Sequence, residues 1–383
     1  MKITRSALAG FGIAALGLSA AVPAGASPQP QEQRGTHSAA VVTSASCHRK
    51  ASPRSFVEPH SLDAVQFVSG TTGWVAGASR VLATTDGGVH WSVQRSASRA
   101  DYSEVDAIDG NDAWVVGRHQ LIGTTNGGAT WRSLPEPCPV ISSVHFYSPS
   151  AGVAVAGGKL LATRDGGSRW TRLRAPSNVQ SVCFTNSHEG WLGANGRIYR
   201  TINRGRVWAM MAAGPRPHSR TARDQPLAEV QCAGSDAGWA EIIGPNAAMS
   251  QQPHIGYHLS DNGVQPIFAE LHFGKRGVDV KRAAPGPYFG AFSSVDPADA
   301  VFVDTCSPCG HGTSPMAIAT ESGQRLARPG RVRGLESAEG AAFTSTSDGW
   351  VVGSVTHYRK GTQTQKIVHT TDGGRHWTTQ FVQ

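Results

Sequence analysis

Three groups of residues in this 383-residue chain have types and spacings that could do chemistry. Cys306-Ser-Pro-Cys309-Gly-His311 sets two thiols three positions apart with an imidazole just beyond, the spacing of a redox dithiol or of half a metal site. Haem attachment would need His directly after the second Cys, and Gly310 interrupts it. Zinc would need further ligands, for which His254, His258 and His357 are the candidates. Asp86, Asp165 and Asp372 could act as acids or bases. A set of cations crowds the second half of the chain: Arg216, Arg220, Arg223, Lys275, Arg276, Lys281, Arg282, Arg328, Arg331, Arg333, Arg359, Lys360 and Lys366.

The acids belong to a repeat. Thr-x-Asp/Asn-x-Gly-x-x-Trp occurs five times, centred on Asp86, Asn126, Asp165, Asn203 and Asp372. This pattern suits a tight hairpin: the Asp or Asn side chain accepts backbone N–H bonds, Gly takes a positive φ, and Trp opens the returning strand. An acid that recurs in every hairpin forms turns and does not converge on one reaction centre. A second landmark precedes the hairpins, at Trp74, Trp114, Val153 and Trp191, each 12 residues before its Asp or Asn. An alternating apolar run lies upstream, as in Val65-Gln66-Phe67-Val68, so each unit reads as four strands with the box between the third and fourth. Asn203 and Asp372 are too far apart for one unit. Two eroded copies fill the gap, around Asp261 and Glu321, with Trp239 and Val301 as their upstream landmarks. Seven units result, starting near residues 61, 102, 141, 178, 227, 288 and 338. Four-stranded units repeated radially predict an all-β fold, a single seven-bladed β-propeller.

The pattern resembles the Asp-box, or bacterial neuraminidase repeat, of sialidases, sortilin-type receptors, some glycanases and the photosystem II assembly-factor propellers. The last of these repeat Gly-Trp-x-x-Gly followed by Thr-Thr-Asp-Gly-Gly-x-x-Trp, which covers residues 61–208 and 338–383 here, while 209–337 diverges. That resemblance implies a non-catalytic binding scaffold. Resemblance to sialidases would imply a Tyr nucleophile and an arginine triad, but the accompanying Arg-Ile-Pro signature is absent. A glycan-binding protein or glycoside hydrolase is the competing reading; no spacing selects the carboxylate pair, roughly 5 to 10 Å apart, that such hydrolysis needs. No catalytic residue, metal or cofactor is therefore expected.

Lys2 and Arg5, the apolar run Ala7 to Val22 and the small residues Ala24-Gly25-Ala26 have the layout of a secretory signal peptide over 1–26. Residues 27–52, rich in Ser, Ala, Pro and Gln, read as a disordered leader, and 53–383 as the propeller. A secreted or cell-envelope protein without a transmembrane segment after cleavage is expected, acting as a monomer. In that compartment six cysteines read as disulfides, expected as Cys183 with Cys232 on neighbouring first strands, Cys306 with Cys309, and Cys47 with Cys138.

The regular spacing exposes where the repeat is enlarged. From landmark to box the distance grows from 12 residues to 22, 20 and 22 in the last three units, and the added residues belong to the face opposite the boxes. Long loops on one face of a rigid scaffold are where binding residues collect. These loops carry most of the cations named above, and net charge is +8, or +6 without Lys2 and Arg5. The expectation is a basic loop face over the last four blades that binds an acidic protein surface or an anionic envelope polymer, and not nucleic acid.

Overall fold

In a computed structural model, described for residues 41–42, 61–77, 79–137, 140–214, 226–234, 236–244, 253–269, 282–285, 288–305, 313–357, 360 and 362–383, the chain forms seven four-stranded antiparallel sheets in sequence order. They are the blades of a β-propeller. The first strands of the blades are Leu62–Phe67, Glu104–Ala107, Ile141–Phe146, Val179–Phe184, Leu227–Ala233, Tyr288–Ser294 and Ser337–Phe343. All seven line one central cavity of about 890 Å³, which makes them the innermost strands.

Burial follows position in the blade. Second strands such as Gly73–Gly77 and Gly152–Ala156 are buried throughout, because they have a strand on either side and a neighbouring blade over each face. Fourth strands such as Ser92–Ser96 are largely exposed. The core divides into seven clusters, each filling the seam between two adjacent blades. Landmark tryptophans Trp74, Trp114, Trp191, Trp239 and Trp350 are at most 2% exposed within these seams. Burying such large apolar surfaces supplies much of the drive for blade packing. The box tryptophans are only partly buried, except Trp170. At Trp170 the sheet of blade 3 gains a fifth strand, since Val41–Val42 pairs antiparallel with Trp170 and Thr171.

The last blade supplies all four of its strands, so the ring closes by packing and side-chain bonds. Trp350 stacks on Phe67 with ring centroids 3.5 Å apart and donates through Nε1 to Gly87 O at 3.1 Å. Gln380 Nε2 donates to the same carbonyl at 2.9 Å, and Leu62 N donates to Gln365 Oε1 at 3.3 Å. Among the described residues no helix is long and apolar enough to cross a membrane.

Candidate functional site

Each intact box is held by the same three bonds. In the first, Thr84 Oγ1 donates to Asp86 Oδ1 at 2.8 Å, accepts Gly88 N–H at 2.8 Å, and Asp86 Oδ1 accepts His90 N–H at 2.9 Å. The set recurs at Asn126, Asp165, Asn203 and Asp372 with the Thr buried every time. Bonds from the backbone and imidazole of His90 hold Asp86 down at about 2, and His376 does the same for Asp372. Carboxylates so stabilised stay ionised and have no proton to donate. Each box turn also bonds to the first hairpin of its own blade, as in Gly87 N to Thr71 O, which puts all five on one face of the ring.

At the inner edge of the blades, one register position repeats around the ring. Gln66, Asp106, His145, Cys183, Gln231, Ser293 and Ala342 each pair directly with the landmark residue of the second strand. Six of the seven reach across to the first strand of the next blade. Gln66 exchanges two bonds with Ala107, Asp106 Oδ2 accepts Phe146 N–H at 2.6 Å, and His145 Nε2 donates to Phe184 O at 2.9 Å. Cys183 is bonded to Cys232. Gln231 Oε1 accepts Ser294 N–H at 2.9 Å, and Ser293 Oγ accepts Phe343 N–H at 2.9 Å. Only Ala342, at the closing seam, offers no polar atom.

The cavity inside this belt is acidic. Asp63, Glu104, Asp106, Glu229 and Glu339 are among the described residues lining it, with no Lys or Arg. Burial pushes Asp63 up to about 6, Glu229 to about 7 and Glu104 to about 8, the last also repelled by Asp106 and Glu229. Glu104 Oε1 accepts Val144 N–H and Ser143 Oγ–H, both at 3.1 Å, so this carboxyl, like that of Asp106, ties strand to strand.

A second polar cluster lies deep between blades 5 and 6. Glu241 belongs to the second strand of blade 5 (Ala237–Ile243), His254 opens its third (His254–Ser260), and Asp304 lies near the end of the second strand of blade 6 (Ala300–Thr305). All three are at most 1% exposed, and His254 Nε2 lies 3.0 Å from Asp304 Oδ2. Burial raises Glu241 well above the ordinary carboxylate range, against the lowering influence of His254. Sequence reasoning named only His254 of this trio. The signal that could have found it is the break in repeat: the positions matching Glu241 in the other six blades are Ala76, Val116, Val155, Gly193, Val303 and Val352.

The other sequence candidates separate. Arg216, Arg220, Arg223, Lys275, Arg276, Lys281 and Arg359, with Cys47, Cys138, Cys306 and Cys309, lie outside the described residues. Arg282 clamps the eroded hairpin of blade 6 by donating to Gly323 O at 2.7 Å and to Gln324 O. Arg331 and Arg333 are exposed on the outermost strand of that blade, Arg325–Arg333, which also carries Arg325 and Arg328. Lys360 is exposed at the tip of a hairpin of two nine-residue strands in blade 7, Gly349–His357 and Thr362–Thr370, so that insertion is built as extended strand. Neither His258 nor His357 joins a cluster: His258 bonds Pro297 O, and His357 bonds Thr364 Oγ1.

Residues 55–137 match the family described as photosynthesis system II assembly factor YCF48. A structure of YCF48 bound to D1 peptide is 16% identical, with a TM-score of 0.50 over 76% of this chain and 90% of that one. YCF48 from Cyanidioschyzon merolae is 15% identical, with a TM-score of 0.49 over 76% of this chain and 92% of that one. A chain of a mitotic checkpoint complex, 9% identical, reaches 0.53 over 80% and 95%. No curated protein matches the sequence. The chain is an Asp-box β-propeller of seven blades that resembles the photosystem II assembly-factor propellers, and its first two blades match that family directly.

Proposed function

We propose that this propeller is an exported, non-catalytic scaffold that binds an acidic, extended segment of a protein partner along the basic outer edge of blade 6. The observation that carries this reading is the outermost strand of blade 6, an arginine-bearing edge with Arg331 and Arg333 exposed and in no ion pair among the described residues. An edge strand offers unpaired backbone groups, and strand addition with side-chain selection is a general mode of peptide capture. The same molecule already does this once, where Val41–Val42 add to the outer edge of blade 3. Further support comes from the likeness to a propeller solved with a bound peptide, from the surplus of positive charge, and from Cys183–Cys232, which suits an oxidising compartment. The acidic cavity would repel the same ligand and keep it at the perimeter.

The test uses synthetic 12-residue extended peptides, one rich in Asp and Glu and one in which these are Asn and Gln, titrated against wild type and the R331E/R333E variant. Binding of the acidic peptide alone, weakened at least tenfold by the variant and by raising salt, is expected. Equal binding to wild type and variant sinks the proposal. So does variant self-association without any peptide effect, since the arginines would then only guard an edge against aggregation.

A further inference from the structure

Glu241, His254 and Asp304 each present one ligand atom, and these atoms lie within 4.8 Å of one another. They meet in the seam between blades 5 and 6, one imidazole nitrogen and two carboxylate oxygens on three different strands. The repeat does not ask for them. Where blade 5 has Glu241 the other blades have Ala, Val or Gly, and where blade 6 has Asp304 they have Gly77, Gly117, Ala156, Ala194, Ile242 and Gly353. Two acidic groups have therefore taken positions that are Ala, Val, Ile or Gly in the other blades, beside a fully buried imidazole. Glu241 Oε1 is fully buried and meets no hydrogen-bond donor, a state that disfavours the fold unless something fills the position facing that oxygen.

We propose that Glu241, His254 and Asp304 hold one divalent transition-metal ion of the Mn²⁺, Fe²⁺ or Zn²⁺ class. The donor set selects that class, because imidazole with carboxylate suits these ions, whereas Ca²⁺ and Mg²⁺ favour shells built of oxygen. A dication balances two carboxylates in a place where their bare charges would be costly. On binding, the ion takes the Nε2 lone pair of His254 and one oxygen from each carboxylate. The proton shared between His254 and Asp304, with any proton on Glu241, leaves to solvent, so affinity falls as pH falls. Bound there, the ion would pin the second and third strands of blade 5 to the second strand of blade 6. This reading is independent of the proposed peptide edge.

The test takes the full chain without a polyhistidine tag, strips it with chelator, and titrates Zn²⁺, Mn²⁺ and Ca²⁺ separately, reading bound metal per chain, proton release and the thermal midpoint. One Zn²⁺ or Mn²⁺ per chain, with proton release and a raised midpoint, is expected, and Ca²⁺ should do neither. E241Q keeps the shape of a protonated glutamate, so it should fold with an unchanged metal-free midpoint while losing metal affinity about a hundredfold or more. With Co²⁺ as a probe, the visible d–d bands of the wild type should disappear in H254Q. The proposal is overturned if the wild type retains no ion, or if E241Q binds Zn²⁺ as the wild type does.

Discussion

Thr163 donates to Asp165 Oδ1 at 2.9 Å and accepts Gly167 N–H at 3.0 Å from a position 2% exposed. Replacing it with Val keeps the volume but leaves that N–H without its acceptor. A stranded buried donor costs about 1–3 kcal/mol, so Thr163→Val should lower unfolding free energy by that amount in urea, with an unchanged m-value. A loss below about 0.3 kcal/mol, within the scatter of ordinary surface substitutions, would show that the aspartate alone holds the turn. The box acids obey a different rule. Asp86 has its folded value lowered to about 2 by His90, so the stability it lends is present above the unfolded value near 4 and is lost only as pH falls through about 2. Its carboxyl resonance, followed by NMR, should hold constant from pH 7 down to about 3. A midpoint near 4 would instead mean that the His90 bonds do not form in solution.

Blade elements are joined by links whose legibility differs with their chemistry. The boxes could be read from sequence because the three side-chain bonds that shape each turn fall within four residues. Cys183 and Cys232 could be paired because cysteines on the first strands of adjacent units have few other uses. The rest of the belt was hidden: Gln66, Asp106, His145, Gln231 and Ser293 share a register but are of four residue types, and only the strand ladder reveals it. Glu241 and Asp304 escaped for a related reason, since they sit 63 positions apart in the stretch where the repeat has eroded. Nor can residue type say whether an arginine stands exposed along an outer strand, as Arg333 does, or is spent on carbonyls, as Arg282 is. Cys183 and Cys232 are separated by 49 residues, for which the chain-entropy relation gives about 4 kcal/mol of stabilisation. The C183S/C232S double variant should lose about 2–4 kcal/mol in chemical denaturation, with hydrogen exchange rising first in blades 4 and 5. Exchange rising evenly around the ring would mean that the bond constrains only the unfolded chain.

At the scale of the ring, the acidic cavity sets how stability responds to pH. Burial is the main reason Glu104 titrates near 8; Asp106 and Glu229 add to it, and the bonds from Val144 and Ser143 oppose it. The folded state therefore keeps a proton that the unfolded chain gives up near 4.3. Stability from that proton is complete below about pH 4 and drains away as pH climbs through 8. Asp63, raised to about 6, acts with the same sign over a window that closes earlier. His145 lies 3.7 Å from Asp106, but no Lys or Arg is among the described residues lining the cavity to offset the charges formed there. Urea midpoints should fall between pH 5 and pH 8.5. Glu104→Gln retains an oxygen to accept Val144 N–H and removes the ionisation, so it should match the wild type near pH 5 and exceed it at pH 8.5. If the two proteins decline in parallel across that range, Glu104 is not protonated in the folded ring, and water or a bound cation in the cavity must be neutralising it.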